Sequence, residues 1–319
     1  MLNPYWDKTF FGFCRLFAIR LMQFIRNDLS LSDLATDEIQ VAILILISFS
    51  SALLGSFLVI KKMTMLANSL SHTVLLGIVC AFVLIRSKNE YFVEISLNFE
   101  ILLLAAILSG FITTLLIQLL THIVKLKEDA STGLVFTTLF ALGVVLASTL
   151  TRSSHIGIEA VMGHIDALHF SDLKLVFFVA LLNTLIFGLF FNQFKMTSFD
   201  PLLSKNLGVS PHFFNYLLMI LVSMTVIASF RAVGVLLVLA FLVGPVLFAQ
   251  LFTKKLLNLI LIACSTAICI SFVGVALSRH CLSVYNLAIS TSGLIASLIG
   301  LVYFIAAILK RGSRVVFRR

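Results

Sequence analysis

Charged residues are scarce in this chain. Only 12% of its 319 residues are charged, whereas a soluble domain carries about 25%. Hydrophobic residues make up 60% of the chain, and its mean hydropathy is +1.12. This composition excludes an ordinary soluble enzyme, and the length suits one membrane domain with short loops. We therefore predict an all-α, polytopic transmembrane helical bundle.

Cysteine and proline are also rare. None of the five cysteines forms a CxxC pair, so the pattern indicates neither a disulfide framework nor a zinc site. Of the four prolines, only Pro245 lies inside an apolar run, directly after Gly244. A proline there predicts a kinked or interrupted helix. Gly244 and Pro245 are therefore gating candidates, with a simple packing kink as the alternative.

The chain lacks the motifs of an enzyme. It contains no GxxxxGK followed by Ser or Thr, no HExxH and no GxSxG. We therefore predict no catalytic residue, no bound cofactor and no ATP hydrolysis by this chain alone. Its apolar runs also hold almost no ionisable side chain, although a proton- or sodium-driven transporter normally places one at mid-membrane. The energy for transport is therefore expected from another subunit.

The apolar runs predict eight or nine membrane spans of about 20 residues each. The candidates are 39–60, 69–86, 99–122, 131–151, 173–194, 212–230, 232–252, 256–278 and 287–309. The second is short enough to be re-entrant instead.

The net charge of +9 comes largely from Lys and Arg at the ends of these runs. This placement orients helices in a membrane and argues against nucleic acid binding. If the N-terminus lies outside, most basic residues fall on the inner side, including the tail that begins at Lys310. The positive-inside rule then predicts a cytoplasmic C-terminus.

The first 30 residues differ from the rest of the chain. Between Lys8 and Arg26, several phenylalanines are interspersed with basic residues. Such a mixture predicts an interfacial amphipathic helix on membrane lipid. We therefore divide the chain into an amphipathic segment, 1–30, and a single transmembrane domain, 31–319. The alternative is an extra span, which would move the N-terminus to the other side.

A short capped helix is predicted at about 199–210, between two spans. Asp200 is a good N-cap, Pro201 suits the first helical position, and Gly208 is a natural stop. A chain that only crosses the bilayer does not need such a helix in a loop. The segment therefore predicts a contact with a soluble partner.

Polar side chains follow the first span. The segment 61–77, KKMTMLANSLSHTVLLG, contains Asn68, Ser69 and His72, and the last two share a helix face because they are three residues apart. They predict a polar lining at the inner end of a transport pathway. Helix capping and interfacial anchoring are the alternative interpretation.

The predicted outer loop 152–172 contains His155, His164, Asp166 and His169. Imidazole and carboxylate groups are good ligands for zinc, manganese or iron. On the outer face they would receive a metal ion at the mouth of a pathway. A solvated polar loop is the alternative.

Four segments of the chain resemble the bacterial ABC permeases for zinc, manganese and iron. They occur in the order of that family and lie within about 39–309. They are FLVIKKMTMLANSLSHTVLLG, KEDASTGLVFTTLFALGVVLAS, FDPLLSKNLGV and FRAVGVLLVLAFLVGPVLFAQLF.

The resemblance implies the membrane subunit of a metal importer, with the fold of vitamin B12-type importer permeases, in the bacterial inner membrane. It implies a second permease subunit, identical or homologous, cytoplasmic ATPases that bind ATP, and an extracytoplasmic metal-binding protein. Asp200–Gly208 would be the coupling helix that docks on the ATPase. Its buried contacts would be Leu202, Leu203 and Leu207, with Lys205 at the rim.

Three positions differ from the family pattern, and rival functions stay open. Asn68 stands where the family usually has Asp, Leu76 replaces a common Pro, and Ile289 replaces an Asp near the last span. Two carboxylates are thus missing, which argues against an intramembrane metal site in this chain and leaves a different partner permease that supplies them as one alternative to an identical one. The alternative functions are a metal-chelate or vitamin ABC permease and an ATPase-independent secondary metal transporter.

Overall fold

The computed structural model describes residues 4–5, 8–26, 35–65, 68–69, 72–73, 76–77, 79–80, 99–151, 168, 170–287 and 289–316. These ranges consist of α-helices and the turns that connect them, and they contain no β-strand. The predicted all-α fold is confirmed.

The longer helices in these ranges are numbered in chain order. They are α1 (Phe10–Ile25), α2 (Thr36–Ile60), α3 (Phe99–His122), α4 (Glu128–Thr151), α5 (Phe170–Phe199), α6 (Pro201–Asn206), α7 (Pro211–Val233), α8 (Val235–Phe252), α9 (Leu256–Tyr285) and α10 (Thr291–Val316).

Every predicted span except 69–86 coincides with one of these helices. Of 69–86, the described residues are helical, and those after residue 80 lie outside the described ranges. Six of the described helices are long and apolar enough to cross a membrane, and two shorter apolar stretches lie in α3 and α8. The chain is therefore a multi-pass membrane protein.

Left-handed backbone conformations occur at several helix boundaries. Gly234, with φ of 82°, precedes α8, and Asn286, with φ of 52°, ends α9. Glycine and asparagine adopt this conformation readily. Lys62 (φ 59°) follows α2 and Lys125 (φ 58°) joins α3 to α4. These two lysines are held in a conformation that their β-carbons disfavour.

The chain packs into two compact units, and the first contains α1, α2 up to Ser56, α5 up to Ala180, and α8 to α10. Within it, α8, α9 and α10 all contact one another, and α1 packs on α9. Phe13 and Phe17 of α1 approach the ring of Phe272 in α9 to 6.2 and 5.2 Å between centroids. The N-terminal helix is thus attached to the bundle along one side.

Two glycines allow close helix contacts in the first unit. A β-carbon at Gly55 of α2 would lie 1.9 Å from the carbonyl oxygen of Leu242 in α8. A β-carbon at Gly244 would lie 2.1 Å from the Ile299 side chain of α10. Small residues permit such approaches between helices in lipid.

The second unit contains the end of α2 from Phe57, then α3, α4, α5 from Leu181, α6 and α7. Here α3 packs on α4. The Asn183 side-chain amide of α5 donates to the Thr225 hydroxyl of α7 across 2.7 Å, and both residues are buried. A hydrogen bond between helices of this kind stabilises membrane bundles by about 0.6 kcal/mol.

The proline in α8 does not interrupt its helix. Pro245 is buried, and α8 continues through it from Val235 to Phe252. The departure from helical geometry lies instead in α5, where Phe190 has φ of −110° and ψ of 21°. The sequence gives no Pro or Gly at that position, so this irregularity was not predicted.

Candidate functional site

The start of α6 is capped as the sequence predicts. The Asp200 carboxylate accepts a hydrogen bond of 2.9 Å from the Leu203 backbone N–H, and Pro201 occupies the first helical position. The cap satisfies one of the backbone donors that every helix leaves free at its first turn.

The end of α6 is a Schellman motif. Gly208 has φ of 79°, and its N–H donates to the Lys205 carbonyl across 3.1 Å. The Val209 N–H donates to the Ser204 carbonyl across 2.9 Å. Both ends of this short helix are therefore fixed by specific hydrogen bonds, which holds it as a rigid projection.

Replacement of Asp200 by Ala is expected to destabilise α6 by about 1 kcal/mol, because the Leu203 N–H loses its acceptor. Hydrogen exchange measured by mass spectrometry should show faster exchange in 200–208, with the long helices unchanged. Asp200→Asn keeps an acceptor and serves as the control. Equal protection in the Ala variant and the native chain would contradict this role of the cap.

The surface of α6 is apolar although it lies outside the core. Leu202 is 78% exposed, Leu207 is 59% exposed and Leu203 is 48% exposed, whereas Ser204 is buried. Exposed leucines on a polar loop helix are costly in water unless a partner covers them. The three leucines predicted as partner contacts are thus exposed and can contact another protein, and Lys205 is exposed beside them.

An aromatic cluster lies in the same unit as α6. Phe194 of α5, five residues before the end of that helix, packs on Phe187 at 4.5 Å and on Phe214 of α7 at 5.2 Å between ring centroids. Phe57 at the end of α2 packs on Phe187 at 4.9 Å. The cluster therefore joins the helices before and after α6. In the sequence, this cluster is indicated only by the separation of Phe187 and Phe194, which is two helical turns and places both rings on one face of α5.

The polar residues after α2 lie against α3 and α4. Ser69 is buried, and its hydroxyl has no hydrogen-bond partner. His72 is half-buried and lies 5.4 and 5.5 Å from the rings of Phe136 and Phe140 in α4. Asn68 is also half-buried. All three residues are helical, as expected, and His72 lies beside two aromatic rings of α4.

A hydroxyl pair adjoins this group. The Thr113 hydroxyl of α3 donates to the Thr73 hydroxyl across 3.0 Å, and both side chains are fully buried. Buried hydroxyl groups therefore lie next to Ser69 and His72 in the second unit. Local sequence patterns do not indicate this pair, because Thr73 and Thr113 are forty residues apart.

The outer-loop residues predicted to bind a metal lie outside the described residues. They are His155, His164, Asp166 and His169. Within the part of the chain that the structure describes, no group of three or more His, Cys, Asp or Glu side chains could hold a metal ion.

Two buried acids at the start of α2 are paired with arginines of other helices. Asp37 is 1% exposed and pairs with the Arg279 guanidinium of α9. Glu38 is 8% exposed and accepts from Arg20 of α1 at 2.5 Å and from the Tyr5 hydroxyl at 2.7 Å. Burial and the neighbouring Glu38 carboxylate hold the pKa of Tyr5 well above its usual value.

A helical membrane bundle with a capped, leucine-rich surface helix and no nucleotide-binding motif is typical of the permease subunit of an ABC transporter. The sequence matches the ABC 3 transport family over residues 36–310. The chain belongs to this family, and it is a membrane permease of the ABC type.

Named relatives and a solved structure agree with this assignment. The "Probable metal transport system membrane protein" of Chlamydia trachomatis is 35% identical over 318 residues, covering 100% of this chain and 97% of the relative. The manganese transport system membrane protein MntD of Bacillus subtilis is 32% identical, covering 86% and 92%. The fold is similar to PsaBC from Streptococcus pneumoniae in complex with Fab, with a TM-score of 0.70 and 23% identity over 90% and 95% of the two chains.

Proposed function

We propose that this permease imports a divalent metal ion, namely manganese, zinc or iron, by alternating access that a separate ATPase drives. The observation that carries the proposal is α6, a doubly capped helix that exposes three leucines in a chain of the ABC 3 transport family. A relative with 32% identity is named as a manganese transport protein.

The proposed orientation has the N-terminus outside and the C-terminus in the cytoplasm. This orientation places Lys61 and Lys62, Lys125, Lys205 and the tail from Lys310 on the inner side. It also places α6 on the inner side, where a cytoplasmic ATPase can reach it. The predicted metal-binding loop with His155, which precedes α5, then faces the extracytoplasmic side, where a metal-binding protein would release its ion.

In this mechanism the ATPase binds and hydrolyses ATP, and the permease converts the resulting motion into opening and closing. The exposed leucines of α6 would fill an apolar cleft on the ATPase, with Lys205 at its rim. The caps at Asp200 and Gly208 keep α6 rigid, so a displacement of α6 passes to the helices on either side. The ring contacts of Phe194 with α5 and α7 provide a packed connection for that motion.

The pathway is proposed to pass Asn68, Ser69 and His72. The imidazole of His72 would be a suitable ligand for all three metals, and the amide of Asn68 would supply a neutral oxygen where the family pattern that the sequence resembles has Asp. A second permease subunit, identical or homologous, would complete the pathway. Gly244 and Pro245 are proposed as the hinge in α8, because a proline within a helix removes one backbone hydrogen bond and a neighbouring glycine lowers the resistance to bending.

Leu203→Asp is expected to abolish co-purification with the partner ATPase, because a charge would be buried in an apolar cleft. The control is Ser210→Asp. Ser210 is exposed four residues after α6 and caps α7, where Asp caps equally well. The control adds the same charge near α6 without altering an exposed leucine.

The rival functions are then separated by measuring the uptake of radioactive manganese, zinc and iron into cells. The expected result is uptake of at least one ion that requires both the ATPase and Leu203. Undiminished ATPase binding by Leu203→Asp would refute the role of α6 in coupling. Uptake that persists without the ATPase would refute the ABC mechanism and favour a secondary transporter.

A further inference from the structure

A small recess opens at one end of the second unit. Its walls come from the residues after α2, from the last turns of α3, and from the first turns of α4 and α7. They include Met63, Met65, Gln118, Asp129, His212 and Met219. In the proposed orientation this is the inner end of the permease, and His212 follows α6 by six residues.

One wall carries a buried acceptor without a partner. Gln118 of α3 is 7% exposed, and its carbonyl oxygen Oε1 has no hydrogen-bond donor. Its amide nitrogen Nε2 donates to the Met219 sulfur across 3.6 Å. That contact fixes which end of the amide remains available. An unpaired buried carbonyl costs about 1–3 kcal/mol, so it indicates a partner that carries positive charge or donates a hydrogen bond.

The other polar groups around the recess are mostly electron donors. Asp129 contributes an exposed carboxylate and His212 an exposed imidazole, both in the first turns of their helices. Met63 and Met65 add thioether sulfurs. The Asn215 carbonyl is excluded from this set, because it accepts from the Lys61 ammonium at 2.5 Å. Lys61 itself does not line the recess.

We propose that this recess is an exit-side binding site for a divalent first-row transition metal ion. The Asp129 carboxylate, the Gln118 carbonyl oxygen and the His212 imidazole are the oxygen and nitrogen ligands, and a thioether of Met63 or Met65 is the sulfur ligand. The inference rests on the proposed function, because it assumes that such an ion leaves the permease at this end. It adds a second site, separate from the pathway residues Ser69 and His72.

The thioethers give the site its selectivity. Carboxylate and amide oxygens alone also suit Mg²⁺ and Ca²⁺, whereas imidazole and thioether groups favour softer transition metals. A site that faces the cytoplasm must reject Mg²⁺, which is abundant there. The combination of one carboxylate with sulfur and nitrogen donors meets that requirement. With a single carboxylate, the site is also weak enough to release the ion.

The test measures Mn²⁺ binding to the purified full chain in detergent by electron paramagnetic resonance. The signal reports the free aqueous ion, and the bound ion is the difference from the total added. We expect the native chain to bind Mn²⁺ in a large excess of Mg²⁺. Asp129→Asn and Gln118→Leu should each weaken the recess site by about tenfold or more. His72→Ala should leave that site intact while reducing cellular uptake, which tests the proposed function separately.

Selectivity is tested with a matched pair of methionine variants. Met63→Leu combined with Met65→Leu removes the thioethers with little change of volume, and we expect the softer ion Zn²⁺ to displace Mn²⁺ less easily from this variant. Met224→Leu is the control, because Met224 lies in α7 but does not line the recess. Size-exclusion profiles confirm that each variant is folded.

The proposal would be overturned if Asp129→Asn and Gln118→Leu both bound Mn²⁺ as tightly as the native chain. It would also be overturned if the native chain bound no Mn²⁺ in excess Mg²⁺. Equal Zn²⁺ competition against Mn²⁺ in the double methionine variant and in Met224→Leu would overturn the role assigned to sulfur. None of these results alters the proposed import function. That function fails instead if uptake is independent of the ATPase.

Discussion

Gly55→Ala is expected to abolish most of the folded yield of this protein. The added β-carbon would lie 1.9 Å from the Leu242 carbonyl oxygen and 2.7 Å from its carbonyl carbon. Those atoms belong to the backbone of α8, so no side-chain rotation relieves the clash. Helices α2 and α8 must separate, and we expect a cost of about 3 kcal/mol, the upper range for an overpacked core.

The measurement is the thermal stability of the detergent-solubilised chain, followed by size-exclusion chromatography after heating. Gly300→Ala is the matched control, because Gly300 lies in α10 of the same unit with no atom within 4 Å of its β-carbon position. Alanine there should be neutral or stabilising by up to about 1 kcal/mol, since it favours a helix. A Gly55→Ala chain as stable as the control would disprove the close contact.

Arg279→Met is expected to destabilise the first unit by about 3 kcal/mol. Arg279 of α9 pairs with Asp37, which is 1% exposed at the start of α2. Removal of the guanidinium leaves a buried carboxylate with its desolvation cost and without this counter-charge. The position of Asp37 in the first turn of α2 offsets part of that cost, because the helix dipole favours a negative charge there.

A double variant separates loss of the pair from loss of packing. Asp37→Asn combined with Arg279→Met removes both charges, so we expect it to recover much of the stability that Arg279→Met loses. Thermal melting of the four chains gives the coupling energy. If the double variant is no more stable than Arg279→Met alone, the loss comes from packing rather than from the unpaired carboxylate.

The sequence was sufficient to predict the helices and α6, because both depend on local rules. Apolar runs of about 20 residues fix the spans whatever their neighbours are. The caps of α6 need only Asp200, Pro201 and Gly208, all within nine residues, and the structure has the N-cap at Asp200 and the stop at Gly208. The motifs in family order were likewise enough to identify the ABC permease family, which the match over residues 36–310 confirms.

Contacts between distant residues were not predictable in this way. Asp37 and Arg279 are 242 positions apart, so nothing in either local pattern indicates the pair. Glu38 immediately precedes the predicted span 39–60, but its pairing with Arg20 depends on how α1 packs against α9. The recess has the same origin, since its walls come from four separate parts of the chain. Local patterns predict elements, whereas such sites arise only when the elements pack.

The two left-handed lysines bear on how the protein is made. Glycine would suit the backbone at Lys62 and Lys125, where a β-carbon costs about 1–2 kcal/mol. Each lysine, however, stands at the end of an apolar helix, and a positive charge there governs which way that helix is inserted. We infer that residue choice at these turns serves biogenesis more than final stability. Lys62→Gly and Lys125→Gly would then raise the stability of correctly inserted molecules. They would also lower the fraction of all molecules that is inserted in the correct orientation.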